Sequence, residues 1–164
     1  MLGTFAVGKT SLVRRFVHNL FDDHYKSTLG VQIFQKTVKI QKSDAPIEVN
    51  MVLWDLANIE KMTPAIENYF RGASAALIVF DVTRPETFNL HDIHISNFQD
   101  INPKARLLFA ANKSDLLAAD THIPDALQKI TQQFQTEAIA TSAKNGAGVE
   151  ELFIKLAEKV GNGA

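Results

Sequence analysis

Nine residues near the start of the chain, Gly3 to Ser11, read Gly-Thr-Phe-Ala-Val-Gly-Lys-Thr-Ser. Their spacing, G-x-x-x-x-G-K-[ST], is that of a phosphate-binding loop. Gly3 and Gly8 can take backbone conformations closed to residues with a Cβ, so successive N–H groups can converge on one anion as a nest. Lys9 supplies a point charge for the β- and γ-phosphates, and Thr10 a hydroxyl for Mg²⁺. A helix opening at Lys9 adds the positive end of its dipole at the same place. An isolated match would also fit a Gly-rich turn that merely leads into a helix. Phe5 and Ala6 fill the middle of the loop, and an aromatic there would project toward the terminal phosphate.

Composition narrows what else the chain can do. Its 164 residues fit one domain with a sizeable core. Net charge is −1, with acids and bases interspersed and no basic stripe for nucleic acid. There is no cysteine, which removes disulfides, a thiol nucleophile, thiolate metal sites and tail lipidation on this stretch. The longest apolar run, Ala73 to Val82, falls short of the roughly 18 residues that span a bilayer and contains Ser74 and Asp81. No signal peptide, repeat or linker is visible, and a reducing, intracellular, cytosolic setting is compatible with this composition.

The elements that must position the loop follow from periodicity. Only Met1-Leu2 precede it, where a central strand of about five residues is expected, so the natural chain is expected to begin earlier, the first strand here being a stub. Val13, Phe16, Val17 and Leu20 give one apolar face to a helix from Lys9 to about Asn19. Phe21 to Leu29 is polar and reads as a loop. Val31 to Gln41 and the alternation Ile47, Val49, Met51, Leu53 predict two strands joined by a turn at Ser43-Asp44-Ala45-Pro46. Trp54 to Lys61 is expected as a loop, and Thr63-Pro64 as the start of a helix to about Phe70.

Ala75 to Val82 predicts a buried strand of a parallel sheet. Thr83-Arg84-Pro85-Glu86 fits a capping box opening the next helix. Arg106 to Ala111 and Ala138 to Ala140 predict short strands. Ile123, Leu127, Ile130 and Phe134 mark a further helix, and Val149, Leu152, Phe153, Leu156 and Val160 the closing one. The order predicts an α/β fold in three layers, with a mostly parallel six-stranded sheet, one antiparallel hairpin strand and about five helices. Ligands of such sheets sit beyond the carboxyl ends of the strands. The loop, Asp55, Asn112 and Ser142 should therefore share one edge.

Four stretches together carry a family resemblance: the phosphate loop, Trp54-Asp55-Leu56-Ala57-Asn58-Ile59-Glu60, Asn112-Lys113-Ser114-Asp115 and Thr141-Ser142-Ala143-Lys144. The chain resembles a small GTPase of the Ras superfamily, most like the Rab branch, from Gly3 to Val160. Thr28-Leu29-Gly30-Val31-Gln32-Ile33, Asn68-Tyr69-Phe70-Arg71-Gly72-Ala73 and Phe80-Asp81-Val82-Thr83 also read as Rab-like. The resemblance implies a P-loop NTPase fold, a single G domain over 1–164 without the usual tail, and GTP/GDP with Mg²⁺ as cofactors. It implies a monomeric switch of vesicle trafficking and signalling. Effectors or regulators would bind through Thr28–Phe34 and Asp55–Phe70, and membranes only through a lipidated tail.

By the same resemblance, Thr10, Thr28 and Asp55 serve the metal, and Lys9 and Thr28 sit at the reacting phosphate. Nucleotide contacts fall on Gly3, Ala6, Val7, Gly8, Lys9, Thr10 and Ser11, on Phe21, Tyr25 and Thr28, and on Asn58. Around the base they fall on Asn112, Lys113, Asp115, Leu116, Ser142, Ala143 and Lys144. A carboxylate at Asp115 can accept from both N1–H and the exocyclic amine of guanine, whereas adenine offers an acceptor at N1. Phe21 fits equally as a core residue ending the first helix.

The departures from the family pattern cluster at the γ-phosphate. The glutamine that orients the attacking water is Ile59 here, which has no donor or acceptor. The flexible glycine before it is Asn58, the threonine after Asp55 is Leu56, and Phe5 replaces a small residue. Loss of a water-positioning group costs on the order of a hundredfold or more. GTP binding with very slow hydrolysis is therefore expected. A degenerate GTPase fixed in the GTP state, acting as an interaction module, is the alternative; an ATP-dependent kinase sharing only the loop is disfavoured by Asp115. His91 and His94 could pair on a metal at i, i+3 but fit an exposed polar face better, and Asp22, Asp23 and His24 read as solvating the first switch.

Overall fold

A computed structural model describes residues 1–22, 28, 30–42, 45–57, 59, 62–88, 92–118 and 124–161. Helices are α1 (Lys9–His18), α2 (Pro64–Phe70), α3 (Asp92–Ile101), α4 (Asp125–Gln133) and α5 (Val149–Gly161). Strands are β1 (Val31–Gln41), β2 (Pro46–Leu56), β3 (Ala75–Asp81), β4 (Arg106–Asn112) and β5 (Ala138–Thr141). β1 and β2 form an antiparallel hairpin, Val31 opposite Leu56 through Gln41 opposite Pro46. β3, β4 and β5 run parallel in that order.

The two-residue stub does the work of a strand. Leu2 bridges Ile78 in parallel, taking a hydrogen bond from Val79 N and giving one to Leu77 O, both 2.8 Å. The Met1 nitrogen reaches Trp54 O of β2 at 2.7 Å. Residues 1 and 2 thus lie between β2 and β3 and deliver Gly3 at the sheet's carboxyl edge.

Side-chain alternation along the central strands feeds two cores. Leu77 and Val79 of β3 and Leu108 and Ala110 of β4 face one layer, with Leu12, Val13 and Phe16 of α1 and Leu152, Phe153 and Leu156 of α5. Phe16 and Phe153 stack there at 4.1 Å between ring centres. Ala76, Ile78 and Phe80 of β3 and Leu107, Phe109 and Ala111 of β4 face the other, against Phe70, Ile95, Phe98, Leu127 and Ile130 of α2, α3 and α4. Helices on both faces of the sheet make the three layers predicted, on an α/β fold of the expected class. Among the described residues no helix is long and apolar enough to cross a membrane.

Three local expectations are corrected. Leu20, expected on the apolar face of α1, is exposed, because the helix stops at His18 and Asn19 turns left-handed. The loop expected from Trp54 begins later: pairing with β1 carries β2 through Leu56. The capping box at Thr83 does not open a helix. Its hydroxyl donates to Asp81 Oδ1 at 2.6 Å, and a short 3₁₀ turn, Pro85–Phe88, precedes α3. Ile123 and the turn residues Ser43 and Asp44 lie outside the described residues.

Candidate functional site

The phosphate loop is shaped by its glycines and by Asn112. Gly8 has φ 99°, and a Cβ there would drive into Asn112 Nδ2. Gly3 has φ 149°, and a Cβ would meet Val79 O at 2.6 Å. Ala6 is also left-handed, at φ 58°; neither composition nor spacing signals that a Cβ residue takes this conformation. Asn112 Nδ2 donates to Val7 O at 2.8 Å, locking the loop to the end of β4. Gly8 caps α1 without a side-chain hydrogen bond, and the first-turn amides of a helix without a side-chain cap suit an anion.

Lys9 is buried, and its ammonium donates to Gly3 O at 2.7 Å and Thr4 O at 3.0 Å, across the mouth of the loop. Burial lowers its pKa to about 8, partly offset by the charge of Asp55. Phe5, on the rim, is 52% exposed.

The three residues assigned to the metal meet although they come from three segments. Thr10 Oγ1 donates to Asp55 Oδ2 at 2.5 Å, and the Thr28 hydroxyl lies 2.6 Å from Thr10 Oγ1. Asp55 is fully buried, and its Oδ1 has no hydrogen-bond partner among the described residues. Burial raises its pKa, while the Thr10 hydrogen bond and nearby positive charges pull the other way. Two hydroxyls and a carboxylate with an unused buried oxygen form a hard, all-oxygen donor set, which fits Mg²⁺ held by few protein groups and by phosphate oxygens.

The loops after β4 and β5 converge. Asn112 Oδ1 accepts from Thr141 Oγ1 and Ala143 N, both at 3.3 Å. Ser142 Oγ donates to Asp115 Oδ1 at 2.6 Å, orienting a carboxylate that is otherwise exposed. Lys113 is left-handed at φ 66° and reaches Asp81 Oδ2 at 2.6 Å. Arg15 of α1 holds the other side of this loop, donating to Ala143 O at 2.8 Å and Lys144 O at 2.6 Å. Arg15 carries no motif signal; only its spacing on the helix side away from the core could have pointed to it. Leu116 is exposed beside Asp115, and Phe21 is partly buried against the first core.

Tyr25 and Asn58 lie outside the described residues, as do Asp23, His24 and His91. His94 is half-buried, its buried Nδ1 without a partner among the described residues, and burial lowers its pKa against a backbone hydrogen bond with Ile59. Among the described residues no group of three or more His, Asp or Glu side chains could hold a metal. Ile59 is partly buried, its side chain packed against the second core.

A second surface adjoins the first switch. Ile33 and Trp54 face each other across the hairpin on its outer side, 52% and 38% exposed. Tyr69 of α2, 41% exposed, brings its ring 5.9 Å from that of Trp54. Trp54 lies one residue outside the stretch predicted to meet partners; its outward place in the alternation of β2 is the signal that marks it.

The model of the Ras family matches residues 1–162. The Ras-related protein RABF2b of Arabidopsis thaliana is 34% identical over 161 residues, 98% of this chain and 78% of its own. Rab-22A of Mus musculus is 31% identical over 166 residues, covering 98% and 81%. RabC of Dictyostelium discoideum is 29% identical over 165 residues, covering 98% and 81%.

Proposed function

We propose, for a chain that belongs to the Ras family and is Rab-like within it, a guanine-nucleotide switch that holds GTP with Mg²⁺ and hydrolyses it very slowly. The observation that carries the slow step is Ile59. Where a water-orienting amide is needed, the chain offers a hydrocarbon packed into the core. Phe5 on the loop rim adds bulk at the same end of the site.

The binding parts support the other half of the reading. Lys9 and the first-turn amides of α1 would face the phosphates, with Thr10, Thr28 and Asp55 around Mg²⁺. When bound, the ion neutralises charge on the β- and γ-phosphate oxygens. Asp115, oriented by Ser142, would read the guanine edge, and Asn112 ties that loop to Val7. The contact of Thr28 with Thr10 supports a role for Thr28 in responding to the metal and the terminal phosphate.

Effector or regulatory proteins of vesicle trafficking would dock over Thr28–Phe34 and Asp55–Phe70, with Trp54 beside Tyr69 as an aromatic anchor. The exposed Ile33, Trp54 and Tyr69 also favour a second reading, a protein fixed in its GTP form that presents this surface constantly.

Three measurements test these readings. Chromatography of the nucleotide released from purified protein should give guanine nucleotide; ATP would overturn the assignment. Single-turnover hydrolysis should be on the order of a hundredfold slower than in a small GTPase with the glutamine. A rate equal to such an enzyme's would sink the slow-switch reading. Partner affinity that differs between the GDP form and a non-hydrolysable GTP form identifies a switch, and equal affinity a fixed module.

A further inference from the structure

A charged cluster built on Asp81 and Arg84, neither of them assigned above to nucleotide or metal, ties the two halves of the site together through Lys113. Asp81 ends β3 with its side chain 1% exposed. Oδ1 accepts from Thr83 N at 3.0 Å and Thr83 Oγ1 at 2.6 Å. Oδ2 accepts from Arg84 Nε at 2.8 Å and Lys113 Nζ at 2.6 Å. Burial alone would raise this carboxyl; the hydrogen bonds from Lys113, Thr83 and Arg84 outweigh it and hold it below the usual range. The carboxylate stays charged, and both its oxygens are in use.

Arg84 reaches further. Its Nη2 donates to Phe5 O at 2.9 Å, 79 residues away in the phosphate loop. Its own backbone is held: Arg84 N donates to Asp81 O at 3.0 Å, and Arg84 O accepts from Thr87 N at 2.9 Å and Thr87 Oγ1 at 2.7 Å. A guanidinium is a rigid planar fork. With Nε on Asp81 and Nη2 on Phe5, it sets one separation between the end of β3 and the loop. Fixing the Phe5 carbonyl also fixes the planar peptide it shares with Ala6, and turns the Ala6 N–H to the opposite side. Ala6 is the left-handed residue of the nest.

We propose that Arg84 is a positioning residue for nucleotide retention, coupling the phosphate-loop backbone at Phe5 to the base-side Lys113 through their shared anchor, Asp81. The inference rests on the guanine-nucleotide reading above. With the coupling intact, opening the phosphate loop must break a charge-assisted bond or drag the base loop with it. Without it, the two ends of the site open separately.

The test compares release of a fluorescent GDP from wild type, R84A and R84K in Mg²⁺, chased with excess GDP. R84A should release about tenfold faster, with the association rate unchanged. R84K should be nearly as fast as R84A, because an ammonium on Asp81 cannot also span to Phe5. A general folding defect would lower the fraction of protein that loads instead. Equal release from R84A and wild type overturns the proposal. So does a wild-type rate in R84K, which would reduce Arg84 to a counter-charge. If R84A does not fold, R84K decides alone. A wild-type chain that loads no guanine nucleotide would overturn both this inference and the reading beneath it.

Discussion

Thr10 and Asp55, 45 residues apart, meet in a hydrogen bond of 2.5 Å that leaves the other carboxylate oxygen buried and without a partner among the described residues. A fold does not normally leave such an oxygen unused, because desolvating it without compensation is costly. Its partner oxygen is held by Thr10, which also meets Thr28, and a cation bound at these groups would relieve the disuse.

The first prediction is that Asp55→Asn stabilises the ligand-free protein while removing the benefit of Mg²⁺. Burial raises the Asp55 pKa in the folded state above its unfolded value. The folded protein then binds the extra proton, so the cost of the charge is absent below the unfolded pKa and complete above the folded one. At neutral pH the carboxylate is a burden, and an amide of the same shape lifts it by about 1 kcal/mol. Urea unfolding at pH 7 should show the gain, and GDP affinity measured with Mg²⁺ and with chelator should become nearly the same. A destabilised D55N variant that keeps its Mg²⁺ dependence would contradict both halves.

Ile59→Gln should speed hydrolysis. A glutamine restores a donor and an acceptor where the chain has a packed hydrocarbon. Phe5 stays on the rim, so recovery should be partial, about tenfold in a single-turnover assay. The double variant Phe5→Gly with Ile59→Gln should exceed the single one. No gain in either would remove Ile59 as the cause of the proposed slow turnover. Removing the isoleucine also withdraws apolar area from the second core, so a lower melting temperature should accompany the gain.

Much of this site was legible before any coordinates because its chemistry is local. Gly8-Lys9-Thr10 and Asn112-Lys113-Ser114-Asp115 keep their donors and acceptors within a few residues, and strand ends deliver them to one edge. What escaped reading depends on distant partners. Nothing near Trp54 says that β1 will pair with β2 as far as Leu56, yet that pairing moves Asp55 from a loop onto a strand. Thr83 looks like a helix cap until Asp81 takes its hydroxyl. Arg15 and Arg84 carry no motif, and their roles exist only once segments 128 and 79 residues away are in place. The helical face ending in Leu20 failed for a simpler reason: periodicity does not mark where Asn19 turns left-handed.

Asp115→Asn should exchange base preference. The carboxylate is held by Ser142 Oγ so that its free side faces outward. An ionised acceptor pair matches the N1–H and amine of guanine; an amide can donate instead, which suits the carbonyl that xanthine carries in place of that amine. Guanine nucleotide affinity should fall about a hundredfold, and xanthosine diphosphate should bind more tightly than GDP. Calorimetry with both ligands checks it, and unchanged GDP affinity would remove Asp115 from the base site.

Lys9 makes nucleotide binding sensitive to alkaline pH. Burial lowers its pKa to about 8, against an ordinary value of 10.5. The unfolded chain binds more protons than the fold between those values, so ligand-free stability from this group rises with pH across that window. Binding runs the other way. A phosphate beside Lys9 favours its charged form, so nucleotide binding at pH 8 to 9 should take up a proton, and affinity should fall as pH rises above about 8. Calorimetric titrations at pH 8.5 in two buffers of different ionisation heat measure the uptake directly. Lys9→Arg, which stays charged throughout, should abolish the uptake even where it weakens binding. An uptake that persists in K9R would assign the proton to another group.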